Sequence, residues 1–323
     1  MGEVSYKMLD GSQSLRERLL LATLSGTPVL IEDIRAEDTI PGLRPHEVSL
    51  LRLLATVSDG CYVEINETGI TNDSKDSCVD TFRSTTLPML KQFGVPSEGL
   101  ELKIESRGVP PNGGGEVLLS IPIVQSLTAV TWIDEGIVKR IRGVTFSARV
   151  STQFENTMIH AARGIFNHLL PDVHIFTDHK AGPQAGNSPG YGISLVAETT
   201  SGCFVSADTA VSYAREDDVT EIDDEEEELL PPADVGKQIA SVLLQEIEQG
   251  GVVDSRHQGL LFLLCALCPE DVSKVRVGKL SPHGIETLRH IRDFLRVKFD
   301  IKPDPSTGTV VLKCVGCLSR RTS

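Results

Sequence analysis

One pattern recurs three times along this chain and limits the folds it can adopt: a strand, a helix with an apolar stripe, and a second strand. The first copy has a predicted strand over Val29–Ile34 and a closing strand over Tyr62–Ile65. Apolar residues at helical spacing lie between these strands: Val48, Leu50, Leu51, Leu53, Leu54 and Val57. A helix that packs one stripe on a sheet and joins two strands is a building block of α/β proteins.

The second copy is shorter than the first. Its helix carries Val79, Leu87 and Phe93, ends at Gly94, and leads to a predicted strand over Leu100–Ile104. Only a few residues separate the end of the first copy from this helix, so a strand and a helix are missing. We therefore predict a shortened second unit.

The third copy begins with a strand at Val275–Val277 and continues through Ser281-Pro282 into a helix. That helix bears Ile285, Leu288, Ile291, Phe294 and Leu295, and a strand over Lys298–Ile301 closes the unit. Because the three copies are irregularly spaced, a solenoid of fixed period is excluded. The pattern predicts an α/β (α+β) fold in which three repeated units form one large domain.

A stretch with a different pattern of predicted strands and helices separates the second copy from the third. Predicted strands at Val144–Val150, Val173–Thr177 and Ile193–Glu198, with a helix over Asn156–Leu169, indicate a smaller inserted α/β domain. We place this inserted domain at residues 139–215.

An acidic run follows the predicted insert. Glu216–Glu228 contains ten acids and no base, a composition that buries little apolar surface, and Pro231-Pro232 comes soon after it. We predict a disordered acidic connector at residues 216–233, with an interaction tail as the alternative. The large domain then comprises residues 1–138 and 234–323.

The net charge of −14 is a poor guide to the partners of this chain, because it is unevenly distributed. Ten of the 45 acids lie in the acidic run, so the rest of the chain carries only −4. No apolar stretch approaches the ~18 residues of a membrane span, and the N-terminus lacks an apolar signal run. Seven cysteines without a secretory signal are typical of reduced thiols. We expect a soluble intracellular protein.

Two cysteine pairs have the spacing of a zinc site. Cys265 and Cys268 form one CxxC pair, and Cys314 and Cys317 form the other. The first pair lies in the apolar run Gly259–Cys268, where a helix would direct both thiols into a core. We favour core packing over zinc and expect no metal.

The stretch Arg107–Glu116 reads RGVPPNGGGE between two predicted strands. Such a cluster of glycine and proline is typical of a turn with unusual backbone angles. A glycine cluster can also bind phosphate, but that needs a helix N-terminus behind it, and here a strand follows. The turn is therefore the preferred interpretation.

His283 and a row of cations are the other candidate site residues. His283 lies in the predicted strand-to-helix loop of the third unit, where a side chain can face a cleft, although a surface histidine is the default interpretation. Arg289, Arg292 and Arg296 share one predicted helical face, with Lys298 just beyond. This stripe is either a solvated helix face or a phosphate-contacting surface. The common catalytic and nucleotide-binding motifs, from HExxH to the Walker loop, are absent from the sequence.

Four motifs resemble the RNA 3′-terminal phosphate cyclase family, and the resemblance covers essentially the whole chain. They are Leu9–Gly11 (LDG), Ile34–Ala36 (IRA), Pro41–Pro45 (PGLRP) and, most specifically, Arg107–Glu116. The resemblance implies three α/β units with an inserted smaller domain. It also implies several tens of further residues after Gly69, which this chain lacks.

Two departures point to the cyclase-like branch, which lacks cyclase activity. Cyclases follow LDG with the glycine-rich segment GEGGGQ, whereas this chain has Ser12–Glu17. Cyclases place Gly-Arg after IRA, whereas Glu37 and Asp38 stand here and would repel a phosphate. The stretches Leu50–Leu54 and Arg142–Val150 also resemble that branch. His283 falls near the histidine that takes AMP in cyclases, but without phosphate and nucleotide pockets a nucleophile contributes little.

The resemblance implies a non-catalytic assembly factor in 40S ribosomal subunit biogenesis. Such a factor acts in early pre-rRNA processing toward 18S rRNA, within the small-subunit processome of the nucleolus. The expected partners are a large ribosome-assembly GTPase, pre-rRNA and processome particles, with no cofactor, DNA or membrane. The alternative is an RNA-processing enzyme: an endonuclease on pre-rRNA, or a residual 3′-phosphate cyclase that uses His283.

Overall fold

The structure, a computed structural model, describes residues 6–34, 47, 50–51, 54, 63–213 and 230–318. Three stretches discussed above lie outside these residues: Glu37-Asp38, the Pro41–Pro45 loop and the acidic run Glu216–Glu228. Within the described part, no helix combines the length and the apolar character that a bilayer crossing requires.

The first unit begins with two parallel strands joined by a helix. Strand β1 (Lys7–Asp10) pairs with β2 (Val29–Glu32), and helix α1 (Leu15–Ser25) connects them. Parallel neighbours need such a crossover because a tight turn would reverse the chain. Of the helix predicted next, four residues are described and all four are helical: Glu47, Leu50, Leu51 and Leu54.

The second unit is a helix and a three-stranded antiparallel sheet in the order β3-β5-β4. Its helix runs through α2 (Val79–Thr81), a π-helical turn (Phe82–Thr86) and α3 (Leu87–Gln92). The strands are β3 (Val63–Gly69), β4 (Glu101–Ser106) and β5 (Gly115–Ile121).

The closing strand of the first repeat has a different partner from the one its position suggests. The sequence assigned Tyr62–Ile65 to the end of the first unit, but β3 pairs antiparallel with β5 of the second unit. Only nine residues, 70–78, separate β3 from α2. The short connection places β3 in the second sheet, which confirms that this unit is short of elements.

The glycine-rich stretch forms a turn between β4 and β5, as predicted. Gly113 and Gly114 adopt positive φ values of 54° and 81°, and the Pro110–Pro111 peptide bond is cis. A Cβ at Gly108 would lie 2.3 Å from the carbonyl oxygen of Gly69. Glycine is therefore required here by the close approach of two backbones.

The inserted domain is a four-stranded sheet with two helices on it. The sheet order is β10-β9-β7-β8, and β7 is parallel to β8 and antiparallel to β9. The elements are β7 (Val138–Ala148), α4 (Gln153–Phe166), β8 (Val173–Lys180), β9 (Gly190–Thr199), β10 (Phe204–Ser212) and α5 (Pro232–Gln249).

Helix α5 shares the core of the inserted domain. Val235 and Leu243 are fully buried with Met158 and Phe166 of α4. A Cβ at Gly236 would lie 2.5 Å from the carbonyl oxygen of Met158, so the two helices approach closely. The sequence placed residues from 234 onward in the large domain, whereas this packing joins α5 to the insert; the reason is its apolar face, which the sheet and α4 bury.

The third unit is a four-stranded sheet in the order β12-β13-β11-β6 with helices on one face. In α7, Ser281 Oγ accepts a hydrogen bond from the backbone N–H of Gly284 and so caps the helix. The elements are β6 (Thr131–Trp132), α6 (Gln258–Ala266), β11 (Val272–Val277), α7 (Pro282–Leu295), β12 (Asp300–Asp304) and β13 (Thr309–Val315).

Helix α7 also packs against the first unit. Phe294 shares a buried cluster with Leu21 and Ala22 of α1. The N-terminal half of α1 is thereby brought alongside the N-terminal half of α7, where His283 lies.

Candidate functional site

His283 lies in the first turn of α7, one residue after Pro282, rather than in the loop before the helix. The loop is shorter than the sequence suggested because Ser281 caps the helix. The imidazole is about half exposed, and its Nε2 lies 3.3 Å from Oε1 of Glu17 on α1. A carboxylate is therefore the immediate neighbour of the candidate nucleophile.

Glu17 is held by three side chains of α7. Its carboxylate accepts hydrogen bonds from His290 Nδ1 and Thr287 Oγ1, both at 3.0 Å, in addition to its contact with His283. Burial raises the pKa of Glu17, but the hydrogen bonds from His290 and Thr287 and the charge of His283 outweigh burial, and the net pKa is lowered. Glu17 therefore stays ionised at neutral pH.

The sequence singled out Ser12–Glu17 as the replacement for a glycine-rich segment, but it did not identify Glu17 as a partner of His283. Two residues 266 positions apart meet only because α1 packs on α7. The signal that could have found this contact is His290, which lies two helical turns after His283 on the same face.

Four cations surround an open cavity of about 540 Å³ at the C-terminal end of α7. Three are predicted site residues, Arg292, Arg296 and Lys298, and the structure adds Lys7 from β1. Lys7 Nζ lies 3.9 Å from the centre of the Phe294 ring, an arrangement that holds a cation in place. We call these four residues the cationic patch.

The predicted stripe of arginines is divided by the end of the helix. Helix α7 ends at Leu295, and Arg296 adopts a left-handed conformation with φ of 60°. Arg296 therefore turns to the cationic patch, while Arg289 lines a neighbouring groove together with Arg292 and Lys298. In the cationic patch the only acid among the described lining residues is Asp293, whose carboxylate contacts Arg292 Nε at 2.9 Å.

The cysteine pairs pack in the core of the third unit, as the sequence analysis favoured. Cys265, Cys268 and Cys314 are buried there, and Cys317 is half-buried beside them. A hydrogen bond to Cys314 and burial raise the pKa of Cys265, and burial raises the pKa of Cys268 to about 11. The same hydrogen bond lowers the pKa of Cys314, and all three thiols lie in the apolar core.

A buried ion-pair network joins the glycine-rich turn to the inserted domain. The side chain of Arg107 is fully buried, and its guanidinium donates to both oxygens of Asp80 and, at 2.7 Å, to Asp178 Oδ2 on β8. Burial alone would lower the pKa of Arg107, but the two carboxylates raise it, so the charge is kept. Arg107 was recognised as part of a motif, but its structural role could not be read from the motif.

Two sequence profiles match the chain. The profile described as RNA 3′-terminal phosphate cyclase matches residues 7–65, and the profile of the insert domain of the same family matches residues 133–248. The second match ends inside α5, in agreement with the packing of that helix on the insert.

Several curated proteins are similar over nearly the full chain. A probable RNA 3′-terminal phosphate cyclase-like protein of Arabidopsis thaliana is 58% identical, covering 99% of this chain and 100% of the relative. The RNA 3′-terminal phosphate cyclase-like protein of Homo sapiens is 40% identical over 95% of the chain and 94% of the relative. The rRNA processing protein rcl1 of Schizosaccharomyces pombe is 35% identical, with 98% and 97% covered.

The alignment with the Arabidopsis protein spans 374 residues, more than the 323 of this chain. At least 51 aligned positions therefore have no counterpart here. Missing residues in that number agree with a second unit that lacks a strand and a helix.

Proposed function

The chain belongs to the RNA 3′-terminal phosphate cyclase family, in its cyclase-like branch, and from this premise we propose that it is a non-catalytic factor of rRNA processing. Its role would be in early cleavages toward 18S rRNA, within the small-subunit processome of the nucleolus. The relative named rRNA processing protein rcl1, which is similar over nearly its whole length, supports this assignment.

The contact between Glu17 and His283 is the main observation that supports the proposed lack of cyclase activity. A cyclase must bring a nucleotide phosphate to its histidine, and here an ionised carboxylate lies 3.3 Å from Nε2. Like charges repel, so the carboxylate of Glu17 disfavours a nucleotide phosphate at this nitrogen. The site therefore opposes the ground state on which adenylation depends.

The cationic patch is the surface that we assign to pre-rRNA. Phosphate groups are bound by arginine and lysine side chains, and four such side chains surround one open cavity in a chain whose net charge is negative. The cavity is polar and open, which suits a backbone rather than a base. We propose a large assembly GTPase and processome particles as the protein partners.

The test of catalysis uses purified protein, radiolabelled ATP and an RNA with a 3′-phosphate. We expect neither a protein–AMP adduct nor a 2′,3′-cyclic end, while an active cyclase in parallel gives both. Formation of a cyclic end that is lost in His283→Ala would overturn the proposal in favour of a residual cyclase.

The role in rRNA processing is tested in cells depleted of their own cyclase-like protein. We expect this chain and its His283→Ala variant to restore 18S rRNA equally, because the proposal assigns no chemistry to the imidazole. A failure of both chains, at normal protein levels, would argue against the role. Rescue by the wild-type chain alone would favour an enzyme.

A further inference from the structure

An apolar groove runs beside the cationic patch, between α7 and the segment that leads into β12. Its volume is about 380 Å³, and it follows two turns of α7, roughly 10 Å. Its apolar lining consists of Leu280, Ile285, Leu288, Val297, Phe299 and Ile301.

Two of these side chains are unusually exposed. Ile285 is 38% and Ile301 42% accessible, one on each wall of the groove. Large apolar side chains that face each other across an open groove are typical of interaction sites, whereas single exposed ones are not. The groove therefore presents neighbouring apolar side chains to solvent.

The charges around the groove select the partner. Arg289, Arg292 and Lys298 line it, and no acid does among the described residues. Arg292 has an acidic neighbour in Asp293, whereas within the described part of the chain neither Arg289 nor Lys298 makes an ion pair. The charged side chains that line this groove are therefore all cationic, on a chain that carries a net charge of −4 outside its acidic run.

We infer that this groove binds an acidic amphipathic segment of a partner protein. The segment's apolar residues would cover Ile285, Leu288 and Ile301, and its carboxylates would face Arg289 and Lys298. A nucleic acid suits the groove less well, because its backbone carries no apolar groups and Phe299 is the only aromatic lining residue among those described. The inference rests on the proposed function only in identifying the partner as an assembly protein.

Two adjacent surfaces of α7 would then have different ligands. The cationic patch is polar and suits phosphate, whereas the groove is apolar and suits a peptide, and Arg292 and Lys298 border both. RNA and protein bound side by side would share these two cations.

The experiment selects peptides from a random 16-residue display library on the full chain, with removal of those that also bind Ile285→Asp. We expect the enriched peptides to be net acidic, with apolar residues at i, i+3 and i+4 spacing. In fluorescence anisotropy, the best peptide should lose at least tenfold affinity with Ile285→Asp or Ile301→Asp. Ile137→Asp is the control, because Ile137 is 74% exposed outside the groove. Thermal unfolding of each variant verifies its fold.

Charge is tested separately from apolar contact. Arg289→Glu should weaken the same peptide about tenfold and make binding less sensitive to salt, whereas Lys237→Glu on α5 should leave affinity unchanged. The inference is overturned if no peptide depends on Ile285, if the selected peptides are neutral or basic, or if Ile285→Asp weakens the binding of single-stranded RNA itself. It is also overturned if the groove instead holds a second copy of the chain, seen as a dimer that Ile285→Asp dissociates. None of these outcomes bears on the cyclase assay, so the two proposals fail independently.

Discussion

The second and third units follow one plan, but the second has fewer elements. In both, a strand precedes a helix, two further strands follow, and the first strand pairs antiparallel with the last: β3 with β5, and β11 with β13. The third unit adds β6, parallel to β11, and helix α6 against α7. The strands that the two units share are therefore enough to form the sheet, whereas the third unit has an additional helix that contributes to its core.

The missing elements change how the second unit is stabilised. The core of the third unit is apolar and contains buried residues from both α6 and α7, and Met89 and Phe93 of the second unit are buried in it. The second unit's own cluster is small, and many of its members are only partly buried. Besides Met89 and Phe93, a buried polar network holds the second unit, through Arg107 to Asp80 and Asp178. We infer that the second unit depends on its neighbours for its fold.

The largest expected effect comes from Arg107→Met. Removal of the guanidinium takes two charged hydrogen bonds from the buried carboxylate of Asp80 and leaves it the more exposed Arg83 as a charged partner. The free energy of unfolding should therefore fall by about 3–5 kcal/mol in urea denaturation. Lys302→Met is the control in the third unit, because Lys302 and Asp300 form an exposed pair that should contribute at most about 0.5 kcal/mol. Similar losses in the two variants would remove the contrast between the units.

The same substitution, Leu→Ala, should lower the free energy of unfolding by different amounts in the two cores. Leu312→Ala in the third unit removes a fully buried side chain and should destabilise by about 3–4 kcal/mol. Leu102→Ala in the second unit should cost about 2 kcal/mol, because its partly buried neighbours Ile104 and Leu119 can move to close the space. Equal losses would show that the second core is as constrained as the third.

The pH dependence of stability probes the contact between the units. His257, just before α6, donates from Nδ1 to Asp254 at 2.7 Å, and its Nε2 lies 2.9 Å from Thr86 Oγ1 of the second unit's helix. Burial lowers the pKa of His257, but the charge of Asp254 outweighs it, so the pKa is raised above 6.5. The protonated form is therefore favoured by folding.

The sign of the pH effect follows from that shift. The stabilisation from His257 is fully present below pH 6.5 and is lost as the pH rises through the raised pKa. Asp254 has a lowered pKa, because hydrogen bonds and the charge of His257 outweigh burial, so its contribution is lost only below about pH 3.8. The free energy of unfolding should fall between pH 6 and pH 8, and less in His257→Gln. The control His168→Gln, at an exposed histidine, should leave this decrease in the free energy of unfolding unchanged. If His257→Gln also leaves the decrease unchanged, other groups cause it.

The fold was largely predictable because its helices and strands have clear periodicity. The stripe from Ile285 to Leu295 lies on α7, and the short connection after Gly69 revealed the shortened unit. Strand β10 was missed, and β3 was assigned to the wrong unit, because strand pairing depends on distant residues that a local pattern does not contain.

The candidate site was predictable only in part. Arg292, Arg296 and Lys298 lie together as neighbours in sequence often do, whereas Lys7 and Glu17 reach α7 from the other end of the chain. The end of α7 was also missed: Arg296 fits helical spacing, and no sequence rule predicted its left-handed backbone.

The helix ends provide the smallest and most specific contrast between the units. The second unit's helix is followed by Gly94 at φ of 86°, and the third unit's by Arg296 at φ of 60°. An L-residue in this conformation costs about 1–2 kcal/mol relative to glycine. Arg296→Gly should therefore raise the free energy of unfolding by about 0.5–1 kcal/mol. The reverse control, Gly94→Ala, should destabilise, because its Cβ would lie 2.7 Å from Thr128 Oγ1 as well as being strained.

The same substitution tests whether Arg296 is present for binding. If the cationic patch contacts RNA phosphates, Arg296→Gly should weaken binding of single-stranded RNA and reduce the slope of log affinity against log salt by about 1, while the protein becomes more stable. Opposite changes in stability and affinity would mean that the third unit accepts backbone strain to place a cation where the second unit has glycine. Higher stability with unchanged RNA binding would remove Arg296 from the patch, and lower stability would mean that its side chain packs against the body of the protein.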